Sequence, residues 1–120
     1  MNWAPIVLFA YDRPGHAQQT LEALAGNEGA AESDLFIYSD GPKAAADAGS
    51  VRAVREYLKT VTGFKSVTVI EREQNMGLAN SVLAGVTEVL NGSSSVVVME
   101  DDLLTTRNFL AFVNAALATY

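Results

Sequence analysis

Three consecutive carboxylates, Glu100, Asp101 and Asp102, follow directly on the apolar run Val96, Val97, Val98 and Met99. Like charges this close disfavour one another's ionisation unless something positive joins them. The run is therefore either a solvated end to a buried strand or a place for a cation. Other residues capable of chemistry occupy comparable positions. "AYDRPGH" supplies Asp12, Arg13 and His16, "SDGPK" supplies Asp40 and Lys43, and "EREQNMG" supplies Arg72 and Asn75. Taken singly, each has a plain structural reading. "DRPG" and "SDGPK" are good turn chemistry, His16 suits the first turn of a helix, and Arg72 suits a solvated strand end. Their weight comes from the fact that each group follows an apolar run.

Those runs are "APIVLFAY" (4–11), "DLFIYSD" (34–40), "SVTVIER" (66–72) and "SVVVMED" (95–101), recurring at intervals of about thirty residues. Short, rich in β-branched and aromatic residues, they read as strands buried on both faces. Helical periodicity fills the gaps. "GHAQQTLEALAG" closes on Gly26, "DAGSVRAVREYLKTVTG" on Gly63 and "GLANSVLAGVTEVLNG" on Gly92, glycine being the usual signal past a helix end. A fourth helix spans "TTRNFLAFVNAALATY", with Thr105 or Thr106 as N-cap. "AAADAGS" (44–50) reads as a loop before the second helix.

Strictly alternating strands and helices imply an α/β fold, a Rossmann-like parallel sheet with helices on both faces, over a single domain, 1–120. Ligands of such sheets bind beyond the carboxyl ends of the strands, where strand order reverses. With the order 3-2-1-4, the loops after strands one and four flank that crevice, bringing Asp12 and Arg13 near Asp101 and Asp102. A sheet that stops at strand four also leaves an edge that self-association could cover.

Composition narrows the chemistry. With no cysteine and one histidine, neither a disulfide framework nor a thiolate metal site is possible, and a metal would be held by oxygen: magnesium, manganese or calcium. A net charge of −6 with eight Lys and Arg argues against nucleic acid as a partner. An anionic small molecule remains open if a cation mediates. No apolar run approaches the ~20 residues of a membrane span, and the N-terminus lacks the features of a signal peptide. The cytoplasm is the default compartment, with membrane association left open for a longer protein. Neither a G-x-G-x-x-G nor a P-loop follows the first strand, and a Ser-His-Asp set has no well-placed histidine.

The ordered set of motifs resembles the N-terminal, nucleotide-sugar-binding half of GT-A fold glycosyltransferases. "IVLFAYDRPGHAQQTLEAL" looks like the opening strand, loop and helix of the family 2 enzymes and of the N-acetylglucosaminyltransferase I group. "FIYSDGPK" is similar to their second strand with its base-recognising Asp, and "EREQNMGLANSVLAGV" to their N-x-G stretch and the helix behind it. "VVVMEDDLLTTRNFLAFV" resembles the E-D-D-L strand end of the N-acetylglucosaminyltransferase I group, where the acidic triplet is the D-x-D equivalent.

The resemblance implies a metal-dependent glycosyltransferase donor domain that takes a nucleotide diphosphate sugar, a UDP-sugar, with Mn²⁺ or Mg²⁺. On that reading the backbone around Tyr11, with Asp12 and Arg13, borders the nucleotide, and Asp40 accepts from the N3–H of a uracil-type base. Asn75 and Gly77 shape the wall below the diphosphate. Glu100 holds the sugar or supports the metal ligand from behind, Asp101 meets ribose or sugar hydroxyls, and Asp102 ligates the metal. Those enzymes carry the acceptor site, and when inverting the catalytic base, in a following half. The expectation is thus a donor domain cut from a longer protein, with acceptor and base unassigned and little transfer activity alone. The rival readings are a receiver-type phosphoacceptor domain and a non-catalytic α/β interaction domain. A receiver needs acids after strand one, a phosphorylated Asp after strand three and a Lys after a fifth strand, whereas here the acids gather after strand four.

Overall fold

Five consecutive buried apolar residues suit β1 (Ile6–Ala10) to an inner position in a four-stranded parallel sheet. The computed structural model describes residues 2–101, 105 and 107–119. On one side β1 pairs with β2 (Asp34–Ser39), Ile6 opposite Leu35. On the other it pairs with β4 (Val97–Glu100), Ile6 opposite Val97. The remaining strand, β3 (Ser66–Glu71), lies outside β2, giving the order β3-β2-β1-β4. This is the Rossmann-like arrangement expected from the alternation of elements. It also excludes the receiver topology, in which the third strand lies beside the first; here β4 takes that place.

Among the described residues four α-helices surround the sheet: α1 (Pro14–Ala25), α2 (Ala48–Leu58), α3 (Leu78–Leu90) and α4 (Phe109–Thr119). α1 opens with a proline, whose missing N–H costs nothing at that position. Its buried residues Ala17, Thr20, Leu21 and Leu24 recur at helical spacing and face the sheet. The main core lies on this side, where Leu21 and Leu24, Val54 and Leu58 of α2, and Leu110 of α4 meet Ile6, Leu8, Leu35, Ile37 and Met99. Burying each such side chain contributes about 1.5–3 kcal/mol. On the opposite face α3 packs against Val7, Phe9 and Tyr38. Small residues allow that approach: a Cβ on Gly85 would come within 2.9 Å of the Phe9 ring.

Several local expectations are corrected. The outer strands are not buried on both faces: β3 alternates between exposed and half-buried, and Val98 of β4 is exposed. The stretch 44–50 is not a loop, since a 3₁₀ turn occupies Ala45–Asp47 and α2 begins at Ala48. α2 ends at Leu58, short of Gly63, because Tyr57 and Leu58 carbonyls accept turn hydrogen bonds from Thr60 and Val61. α4 begins at Phe109 rather than directly after a threonine cap. Asn27 reaches across to it, its Oδ1 accepting the Leu110 N–H at 2.9 Å while its Nδ2 donates to Thr105 Oγ1. Thr106 lies outside the described residues. His16 is an exposed residue in the first turn of α1. Among the described residues no helix is long and apolar enough to cross a membrane.

Candidate functional site

β1 and β4 run side by side where the strand order reverses: the chain leaves β1 for α1 on one face of the sheet and reaches β4 only after α3 on the other. A cavity of about 370 Å³ opens there. Tyr11, Asp12 and Arg13 line it from the end of β1, and Glu100 and Asp101 from the end of β4. Asp40 and Lys43 line it from beyond β2, and Asn75 and Gly77 from the loop entering α3. All the residues expected to contact a nucleotide-sugar therefore border one cavity. Asp102, expected as the metal ligand, lies outside the described residues. Sequence reading gave no role to Phe9, Leu78, Ser81 or Lys43, which also line the cavity.

Bonds to Asp101 help to hold the β1–β4 side. Tyr11 N–H donates to Asp101 Oδ2 at 3.3 Å, and Thr20 Oγ1 of α1 donates to the Asp101 carbonyl oxygen at 2.8 Å. Glu100 is exposed, as a carboxylate at a solvated strand end would be.

On the β2 side, Asp40 is buried and its carboxylate is bound to backbone. Oδ1 accepts from Gly41 N–H and Met76 N–H, both at 2.9 Å, and Oδ2 accepts from Gly77 N–H at 3.2 Å. Asn75 returns the link, donating from Nδ2 to the Gly41 carbonyl oxygen at 2.9 Å. The two loops are locked together, which requires a glycine at 41: a Cβ there would sit 2.7 Å from the Gln74 carbonyl carbon. Gly77 stands at φ 77° and ψ 155°, a region nearly closed to other residues, and so turns the chain into α3. A carboxylate has about four acceptor positions, and Oδ2 takes one of the three bonds just described.

Arg55 of α2 supports this side from behind. Its Nε donates to Ser39 Oγ at 3.0 Å, and Nη2 reaches the carbonyl oxygens of Ser39, Asp40 and Arg72 at 3.2, 3.3 and 2.7 Å. Nη1 lies 3.7 Å from Glu71. A signal for it exists in the sequence. Val51, Val54 and Leu58 are the buried stripe of α2, and position 55 falls on that same stripe, where an apolar residue would be expected. An arginine there must find acceptors inside.

Arg72 is not the solvated strand-end charge its position suggests. Its guanidinium lies 4.9 Å from the centroid of the Tyr38 ring, and Nη2 bonds Glu88 Oε1 at 3.2 Å. Tyr38 Oη donates to the other oxygen of Glu88 at 2.9 Å. Burial, then the bond to Glu88 and its charge, push the Tyr38 phenol up to about 12, with Arg72 acting the other way. Tyr11 is also raised, first by burial; the Lys43 N–H opposes this and Asp47 reinforces it.

The cavity thus holds carboxylates (Asp12, Asp40, Glu100, Asp101) and two cations, Arg13 and Lys43. Among the described residues neither cation has an ion-pair partner. Nor do the described residues include a cluster of three or more side chains that could cage a metal. A magnesium or manganese ion does not need one, since such ions are commonly held by one or two carboxylates together with substrate phosphates and water. The all-oxygen donor set fits that manner of binding.

No protein-family model matches the chain, and no curated protein matches it in sequence. Its fold is similar to that of S. aureus TarS, at 14% identity and a TM-score of 0.67, over 98% of this chain. The match covers 20% of the TarS chain, so this sequence corresponds to a fifth of that protein. The likeness concerns fold: a four-stranded parallel sheet in the order 3-2-1-4 with helices around it.

Proposed function

We propose that this chain is the donor-binding domain of a metal-dependent glycosyltransferase, taking a nucleotide diphosphate sugar, with UDP-sugar as the favoured donor. The observation that carries this reading is the convergence of Asp12, Arg13, Asp40, Asn75, Glu100 and Asp101 on one cavity at the switch point of the sheet. Carboxylates facing a diphosphate would repel it. A divalent ion bound by Asp102 and the diphosphate oxygens would offset that repulsion and supply charge stabilisation for the departing nucleotide.

The chain's own residues would do the rest. Asp40, fixed by three backbone N–H groups, would present a carboxylate edge to the base imide. Asp101, anchored through Tyr11 N–H, would accept from sugar or ribose hydroxyls, and Glu100 would stand at the sugar end. The N-terminus of α3, which opens at the cavity through Gly77 and Leu78, favours negative charge there. The acceptor and a catalytic base are not assigned.

Calorimetric titration with UDP tests this, run with and without manganese. Binding is expected only with the metal, and Asp102→Ala is expected to abolish it. Metal-independent binding, or none, would overturn the reading.

A further inference from the structure

The geometry points to Lys43 as the residue that distinguishes the anionic arm of the donor, with Tyr11 as the positioning residue that sets it in place. This rests on the nucleotide-sugar reading above. The Tyr11 hydroxyl accepts from Lys43 N–H at 2.9 Å and donates to Asp47 Oδ2 at 2.9 Å. One phenol therefore ties the end of β1 to both ends of the segment 43–47, which leads into α2.

Lys43 differs from the other cations near the strand ends. Arg55 and Arg72 are committed to protein acceptors. Lys43 lines the cavity, its residue is exposed, and among the described residues its ammonium has no ion-pair partner. Arg13 shares those properties, but its backbone is held by helix geometry, its carbonyl accepting the Ala17 N–H of α1. Among the described residues no other side-chain hydroxyl bonds the backbone of residue 13 or 43. Lysine carries a compact charge with three donors on a flexible stem, which suits a phosphate oxygen rather than a planar base edge. In a chain of net charge −6, a cation facing the cavity also lowers the barrier to an approaching diphosphate. Fixing the backbone from which the stem departs reduces what must be ordered on binding.

Nuclear magnetic resonance titrations of the whole chain with UDP and with uridine, both in excess magnesium, test the assignment. Lys43→Met is expected to weaken UDP about tenfold, the effect of one charge-assisted hydrogen bond, while uridine changes by less than about twofold. Tyr11→Phe, which removes both loop bonds and keeps the ring, is expected to shift the UDP-to-uridine ratio in the same direction by about threefold. Asp47→Ala should do likewise, and Asp47→Asn, whose amide oxygen can still accept from the phenol, should restore most of the ratio. Equal losses for UDP and uridine, or no loss in Lys43→Met, overturn the assignment while wild-type UDP binding stands. Absence of UDP binding in the wild type overturns the nucleotide-sugar reading and this assignment together. Position 43 is exposed, so the lysine variant decides the matter even if Tyr11→Phe loosens the fold.

Discussion

Arg55 Nη2 donates to the Arg72 carbonyl oxygen at 2.7 Å, so a residue in the middle of the second helix closes the end of the third strand. The same guanidinium serves Ser39 and Asp40. Arg55→Met should therefore leave buried acceptors without a donor and cost about 3 kcal/mol in urea unfolding. Arg55→Lys keeps the charge but not the planar fork, and less than half of the loss should return. Recovery to wild-type stability with lysine would show that only charge mattered.

Asp40 should prove as important for stability as for binding. Asp40→Ala strands the N–H groups of Gly41, Met76 and Gly77, and the expected cost is about 3 kcal/mol. Asparagine retains one acceptor oxygen but turns an amide N–H₂ towards a backbone N–H, so about half that cost should remain. Chemical denaturation of the two variants measures the difference. Two curves that overlay the wild type would mean that the backbone bonds to Asp40 are not present in solution.

Gly77→Ala isolates a pure backbone effect. Among the described residues nothing beyond the two chain neighbours comes within 4 Å of where the alanine Cβ would stand, so the φ of 77° with ψ of 155° carries the penalty. A loss of about 2 kcal/mol is expected. Because Gly77 N–H holds Asp40 Oδ2, UDP affinity should fall with it. Thermal melts and titration of the same sample will show whether the two losses move together.

The Tyr38 phenol, pushed up to about 12, gives an alkaline limit. Its pKa is higher folded than unfolded, so its contribution is complete below pH 10, the ordinary value, and is lost as pH rises through 12. Tyr11 and Tyr57, both raised mainly by burial, act in the same sense. Unfolding free energy measured across that window should decline, and Tyr38→Phe should flatten part of the decline. An unchanged slope in the variant would assign the alkaline loss to other groups.

The strands and their order were legible because strict alternation of apolar runs and helical stretches leaves few topologies. The cavity residues were legible for a related reason: Asp12, Asp40, Asn75 and Asp101 each lie at or just beyond a strand's carboxyl end, and in a parallel sheet all those ends share one rim. What escaped the sequence depends on partners far along the chain. The start of α4 is tied to Asn27, a residue of the loop after α1, so no local signal marks it. Arg72 looked solvated because nothing nearby in sequence tells that Tyr38 and Glu88 enclose it. Lys43 was visible at the rim, but the phenol that holds its backbone comes from a different strand end.

The bond between Tyr11 N–H and Asp101 joins the residues that directly follow β1 and β4. Contacts so distant along the chain form slowly, since a long loop must close before they reward it. The crevice is therefore expected to be completed late in folding, after the local helices and the β1–β2 pairing. Refolding chains should regain helical signal before they regain affinity, and any molecule lodged between those two strand ends would act as a rivet against the fourth strand's departure.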